Sequence, residues 1–380
     1  VIEDDTGKLI AAAGGTERDI GDALRAVGPE RAVQLLADEL IHRADLEDLP
    51  HAEAVVRFAC HLGERTVNHL VHVSKGSARH LADAGESERA TAPDVTVRYD
   101  TPELVRAVFG PTSARTSATR RVEWHTTDPI GPHSEVPRTA PLVQRLLRGT
   151  VPGPDDLAEL SLRFGSDKWG LHFYTPLFER HFASLRDRPL TLLELGIGGF
   201  DDPEAGGGSL RLWRRYFHRA MICGVDIAEK TVAAGGRIRS FCGSQTDPVF
   251  LDSVLERVGP PDVVIDDASH RCADVIASFR HLFPALRPGG LYVVEDLQTS
   301  YWPRYGGSSE ELSSPATSMG FLKTLADAVN HEELNGPAPD AVDEFGPHVV
   351  SVHFYHNLAV IEKGTNKEGT LPSWHPARAG

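Results

Sequence analysis

Cysteine is scarce in this chain of 380 residues, and so is positive charge. The four cysteines are Cys60, Cys223, Cys242 and Cys272, and none stands in a CxxC pair. Zinc binding and thiol catalysis are therefore poor readings. All four are expected to be buried free thiols in a reducing cytosol. No apolar run approaches the roughly 18 to 20 residues that a membrane span needs, which argues against a membrane partner. The first residues, Val1-Ile2-Glu3-Asp4-Asp5, are acidic and unlike a signal peptide, so a cytoplasmic location is expected. Lysine and arginine number 39 against 54 aspartates and glutamates, a formal net charge of -15. Phosphate binding needs a basic face, so nucleic acid is not the expected partner. The full GxGxxG spacing for a pyrophosphate is missing as well.

What is present is enough for two domains. Residues 1–150 read as an auxiliary α+β domain with a linker. Asp19 to Asp45 is mostly helical, with a break at Gly28-Pro29. Val33, Leu36, Ala37, Leu40 and Ile41 make one apolar helix face. Three strands are expected at Ala54-Cys60, Thr66-Val73 and Val95-Tyr99, then a helix Pro102-Phe109 capped by Thr101. Pro111 to His133 reads as a long loop, either a surface connection or a cover for substrate.

Residues 151–380 read as an α/β domain in which strands and helices alternate. Strands are expected at Leu190-Leu195, Ala220-Ile227, Ile238-Phe241, Val263-Ile265 and Leu291-Val294. Two more, Val350-Tyr355 and Leu358-Glu362, are separated only by His356-Asn357, which favours an antiparallel hairpin. A parallel sheet closed by one such hairpin is the seven-stranded, Rossmann-like plan of a class I methyltransferase.

The chemistry gathers where these strands end. Val263-Val264-Ile265 runs into Asp266-Asp267-Ala268-Ser269-His270, and Leu291-Val294 runs into Glu295-Asp296. If the two strands are parallel neighbours, their acids lie side by side on the edge where open sheets bind ligands. Asp267, Glu295 and Asp296 offer oxygen only, which suits Mg²⁺. The competing reading is that these acids cap the following helices. An Fe(II) triad would need a second histidine, and none is obviously placed. His270 is the candidate general base, since imidazole titrates near neutrality; its competing role is a structural cap.

The cofactor candidates flank this edge. Glu194-Leu195-Gly196-Ile197-Gly198-Gly199 is a glycine-rich turn whose backbone a ligand can approach. The acidic stretch Phe200 to Glu204 would repel a pyrophosphate yet tolerate the sulfonium and ammonium of S-adenosylmethionine. Asp226 is placed to accept from ribose hydroxyls, or else to cap a helix. Ser244 and Gln245 stand where adenine contacts fall. Ser166, Lys168, Glu194, Gly196, Gly198, Ser209 and Asp266 complete the expected cofactor set. Gly165-Ser166-Asp167-Lys168-Trp169-Gly170 is either a capped turn or a lid over the cofactor. A nicotinamide-dependent oxidoreductase using Asp226, or a non-catalytic scaffold, would be the other ways to read the chain.

Gly165-Ser166-Asp167-Lys168 with His172 and Tyr174, Glu194 to Gly199, Asp266 to His270 and Val294-Glu295-Asp296 together resemble the macrocin-type sugar O-methyltransferases of antibiotic biosynthesis. The resemblance runs over about residues 160 to 362. It is similar above all to the two-domain members that act on the 6-deoxyallose of macrolides. It implies S-adenosylmethionine, Mg²⁺ on Asp267, Glu295 and Asp296, and His270 as base. It also implies a glycosylated macrolide acceptor, methylated at the 2''-hydroxyl, and a homotetramer in which the N-terminal domain helps enclose a neighbour's site.

Overall fold

The computed structural model describes residues 4–81, 92–125, 129, 137–150, 156–231, 236–334 and 337–367. It opens with α1 (Asp5–Ala12), α2 (Glu17–Val27) and α3 (Pro29–Arg43); α1 and α2 pack on α3, which lies on a five-stranded sheet. The strands are β1 (Ala54–Leu62), β2 (Arg65–Ser74), β3 (Ser77–Leu81), β4 (Val95–Asp100) and, after α4 (Thr101–Phe109), β5 (Arg121–Trp124). Their order is β3-β2-β1-β4-β5, with β1 and β4 parallel.

The break at Gly28-Pro29 is real: Gly28 caps α2 at φ 89° and Pro29 opens α3. Three details depart from the sequence reading. Thr101 is the first residue of α4 rather than its cap, and its hydroxyl donates to the His61 carbonyl. The edge strands β3 and β5 were not foreseen, because Ser77-Ala78-Arg79-His80-Leu81 carries polar residues on both faces and Arg121-Val122-Glu123-Trp124 alternates over only four residues of a polar stretch. Edge strands tolerate that. The stretch from Pro111 therefore holds a strand, while residues 126–128 and 130–133 of it lie outside the described residues.

After α5 (Ala140–Arg148), α6 (Leu157–Phe164) and α7 (Thr175–Phe182) comes the larger sheet. Its elements are β6 (Leu190–Leu195), α8 (Gly208–Tyr216), β7 (Ala220–Asp226), β8 (Ile238–Cys242), α9 (Pro248–Val258), β9 (Val263–Asp266), α10 (Cys272–Ala285), β10 (Leu291–Val294), α11 (Ser318–Ala328), α12 (Asp340–Phe345), β11 (Val349–Tyr355) and β12 (Leu358–Lys363). The seven strands lie in the order β11-β12-β10-β9-β6-β7-β8. All pairs are parallel except those of β12 with β10 and β11.

Alternation explains the layering. On β6, Leu190 and Leu192 face one core with Phe178, Phe182 and Trp213. Leu193 and Leu195 face the other, with Phe279 and Phe283 of α10. The order reverses beside β6, between β9 and β7, and the carboxyl ends of β9 and β10 are level, Asp266 opposite Val294. Both features place a ligand crevice at that edge. Cys60, Cys223 and Cys272 are buried as expected, but Cys242, the last residue of β8, is exposed.

The smaller and larger sheets meet across a buried charge cluster. The Glu39 carboxylate of α3 accepts from Arg43 Nε (2.9 Å), Arg237 Nη2 (2.9 Å) and Arg214 Nη2 (2.9 Å). Arg43 also donates to the carbonyls of Val108, Gly149 and His218. Among the described residues, no helix is long and apolar enough to cross a membrane.

Candidate active site

The crevice holds one cavity of about 700 Å³. The turn after β6, the ends of β7 and β9, the first turn of α8 and the loop before α7 all contribute to its wall. Six aspartates line it, Asp167, Asp201, Asp226, Asp267, Asp274 and Asp296, and among the lining residues there is no lysine or arginine. A wall of that charge is ill suited to a pyrophosphate and well suited to a cationic ligand or a metal ion.

The glycine turn lines the cavity, and one of its glycines has a second task. Gly196 sits at φ 92°, and a Cβ on it would lie 2.2 Å from the Asp267 carbonyl. The close approach it permits is therefore to the chain itself, and it joins the β6 turn to the acidic β9 turn. Gly198, at φ 76°, has nothing nearer than 4.0 Å, so it leaves open space. Asp226 both lines the cavity and fixes the turn. Its Oδ2 accepts from Ile197 N (2.9 Å) and its Oδ1 from Ala228 N (2.9 Å). The acidic stretch after Gly199 is pinned from behind by Lys230, whose ammonium donates to the carbonyls of Phe200 and Asp202.

Ser166, Gly196, Gly198, Ser209, Asp226, Ser244 and Gln245 all reach the cavity wall. Gln245 does so with its amide engaged, donating to Asp266 Oδ1 (3.2 Å) and accepting from Ser269 N (3.0 Å). Lys168, Glu194 and Asp266, expected to touch the cofactor, are buried behind the wall instead. Asp266 accepts from Ser278 and Gln245, and burial pushes its carboxyl up to about 6. Burial likewise raises Glu194 to about 7, against the pull of Lys168. The apolar strand that made these acids conspicuous also carries them into the core.

At the level strand ends, ligand atoms of Asp267, His270 and Asp296 lie within 4.8 Å of one another, close enough to hold one metal ion. His270 Nε2 is 3.6 Å from Asp296 Oδ2. Glu295, expected beside them, turns inward. Its Oε1 accepts from Lys168 Nζ at 2.6 Å, and the same ammonium reaches Asp267 Oδ2 at 3.0 Å and Glu194 Oε1 at 3.6 Å. Burial, then the neighbouring Asp267, holds the Glu295 carboxyl well above the usual range.

Two residues of the Gly165–Tyr174 block had no assigned role and acquire one. Tyr174 donates its hydroxyl to Asp296 Oδ1 at 2.8 Å. The His172 ring stacks on Tyr174, 4.8 Å between centroids and 7° between planes, with Nε2 3.5 Å from Asp296 Oδ1. The Asp296 carboxylate thus stands between two histidines. The signal was in the sequence as a hydroxyl and an imidazole two residues apart, but nothing in the spacing tied them to a residue 122 positions later.

Comparison with known proteins fits this geometry. Residues 6–120 match the family model described as MycE methyltransferase N-terminal. The chain is 42% identical to 8-demethyl-8-alpha-L-rhamnosyl tetracenomycin-C 2'-O-methyltransferase of Streptomyces olivaceus, over 94% of each chain. It is also 42% identical to demethylmacrocin O-methyltransferase of Streptomyces fradiae, over 97% of this chain and 93% of that one. Among solved structures it resembles the MycE methyltransferase from the mycinamycin biosynthetic pathway in complex with Mg, SAH and mycinamycin VI. There the TM-score is 0.84 at 35% identity, over 98% of this chain and 96% of that chain.

Proposed function

We propose, because the chain belongs to the family of sugar O-methyltransferases that these relatives represent, that it methylates a hydroxyl of a 6-deoxyhexose carried on a polyketide aglycone. It is an S-adenosylmethionine-dependent, Mg²⁺-dependent enzyme of the macrolide and tetracenomycin type. The observation that carries the reading is the cavity whose wall bears six carboxylates and no lysine or arginine, ending on Asp267, His270 and Asp296. Relatives act on rhamnosyl tetracenomycin as well as on macrolides, so the 2''-hydroxyl of a macrolide 6-deoxyallose is one acceptor within this class.

When bound, S-adenosylmethionine supplies the methyl group and Mg²⁺ the charge that makes a sugar hydroxyl acidic. Asp267 and Asp296, with Glu295 beside them, are the proposed oxygen donors for the ion. The acidic wall favours a sulfonium and an ammonium over a dinucleotide. Ser166, Gly198, Ser209, Asp226, Ser244 and Gln245 are the proposed cofactor contacts. His270 takes the hydroxyl proton at Nε2, the ring nitrogen turned towards the acids. The in-line attack then depends on positioning.

The same reading divides the chain near residue 150 into an auxiliary domain and a methyltransferase domain, and gives it a cytoplasmic location. It includes a homotetramer, which sedimentation velocity would check. The functional test is methyl transfer to a panel of deoxysugar macrolides and rhamnosylated polyketides, with Mg²⁺ and with EDTA. Metal-dependent product is expected on at least one glycoside. Product that EDTA does not affect would remove the metal, and no product on any glycoside would overturn the acceptor class.

A further inference from the structure

The loop between α6 and α7 delivers a lysine, not a carboxylate, into the acidic edge. Lys168 is fully buried, and so is Glu194. Its ammonium lies 2.6 Å from Glu295 Oε1, 3.0 Å from Asp267 Oδ2 and 3.6 Å from Glu194 Oε1. The loop is held in that position through Tyr174. Lys168 O accepts from Tyr174 N (3.1 Å), and Tyr174 in turn donates to Asp296.

Three acids share one ammonium, and Asp296 adds a fourth carboxyl from the next position. Buried carboxylates that repel one another keep their charge only with a cation among them, and otherwise take up protons. We propose that Lys168 is the resident counter-cation of this edge: it holds Asp267 and Glu295 in position and shares them with the divalent ion. The inference rests on the reading of that edge as a metal site. Lys168 is a positioning residue; it does not touch the sugar or the methyl group.

A shared carboxylate has a clear consequence. A positive charge beside the ligands weakens their attraction for a second cation. Removing it tightens binding of the divalent ion and makes the fold depend on that ion. A purely structural ion pair would leave metal affinity where it was.

The experiment compares the full-length protein with Lys168→Met and Lys168→Arg. Mn²⁺ binding is followed by electron paramagnetic resonance and melting by calorimetry, in EDTA and across a Mg²⁺ titration. Lys168→Met is expected to bind Mn²⁺ about tenfold more tightly than the parent. It should melt lower in EDTA and recover more of its melting temperature with Mg²⁺. Lys168→Arg, which keeps the charge, should bind Mn²⁺ like the parent. If Lys168→Met shows no cooperative transition in EDTA, restoration of that transition by Mg²⁺ supports the proposal, and its failure at every concentration overturns it. Equal Mn²⁺ affinity in the parent and Lys168→Met overturns the role of Lys168 and leaves the metal site standing. No saturable Mn²⁺ binding by either protein overturns the metal site itself, and this inference with it.

Discussion

His270 Nε2 faces Asp296 Oδ2 at 3.6 Å, and both residues hold their backbone in the left-handed region, at φ 56° and 53°. Non-glycine residues in that region cost on the order of 1–3 kcal/mol and persist where the surroundings fix them. Here each follows the end of a strand in adjacent positions of the sheet. The conformation turns the two side chains towards each other. Replacing His270 with Ala is expected to lower kcat by about 10²–10⁴, the usual weight of a general base. Affinity for S-adenosylhomocysteine should be unchanged, since the ring lies at the acidic end of the cavity. Turnover within a factor of a few of the parent would remove His270 from the base role.

Tyr174→Phe tests the other side of the same carboxylate. The ring stays in the core, and only the hydroxyl that donates to Asp296 Oδ1 is lost. A hydrogen bond to a charged group is worth roughly 1.5–3 kcal/mol, so the Mg²⁺ concentration for half-maximal activity should rise about tenfold or more. The melting temperature should fall by no more than several degrees, about 2–4 °C per kcal/mol lost. An unchanged Mg²⁺ requirement would mean that Asp296 does not depend on Tyr174 for its position.

The strand ends were legible because period and punctuation agree there. Val263-Val264-Ile265 and Leu291-Tyr292-Val293-Val294 are short, apolar and bounded by acids, and the two-residue His356-Asn357 connection leaves a hairpin as the simple solution. What could not be read was direction. A residue at the end of a strand points either into the cavity or into the core, and a one-residue step decides which. So Asp267 and Asp296 reach the ligand edge while Asp266, Glu194 and Glu295 turn inward. Lys168 was misplaced for a related reason: its partners are 99 and 127 residues away, and no local pattern shows an ammonium entering a cluster of acids. The edge strand β3 gave no apolar alternation to read, and that of β5 is only four residues long.

Gly196 connects the turn of β6 to the turn that carries Asp267. An Ala there would need φ near 92° and would bring its Cβ to 2.2 Å from the Asp267 carbonyl. Strain at such a site exceeds the roughly 1 kcal/mol that a tolerated Gly→Ala change alters. Gly196→Ala is expected to lower the melting temperature and to lose both cofactor and metal affinity, because the two turns must part. Calorimetry with and without S-adenosylhomocysteine checks it. Loss of cofactor affinity alone would show that the turns move independently.

Glu39 holds the smaller sheet to the larger through Arg214 and Arg237. Burial opposes its charge, but the surrounding guanidinium groups of Arg237, Arg214 and Arg43 hold it well below the usual carboxylate range. Glu39→Ala leaves three buried guanidinium groups without their shared partner, and removal of one side of such a cluster costs about 3–5 kcal/mol. Urea unfolding should show that loss, or a split into two transitions if the sheets part first. A loss under about 1 kcal/mol would mean that water replaces the carboxylate.

His218 makes stability depend on pH at the same junction. Burial, with Arg115, Arg43, Arg237 and Arg219 nearby, pulls its imidazole down from the ordinary value to about 2. The unfolded chain binds a proton at this ring near pH 6.5, and the folded one does not. Stability from this group is therefore complete above pH 6.5 and falls as pH drops from there towards 2, by about 1.4 kcal/mol per unit. Glu194, raised to about 7, acts in the opposite direction, its contribution growing as pH falls from 7 towards the ordinary glutamate range. The two are separable because only one of them is removed in His218→Gln. Between pH 6 and 5 the free energy of unfolding of the parent should fall relative to His218→Gln by about 1 kcal/mol, measured by urea titration at each pH. Parallel pH profiles for the two proteins would mean that the ring is already protonated in the folded state and paired with Asp187, whose carboxylate lies 3.1 Å from its Nε2.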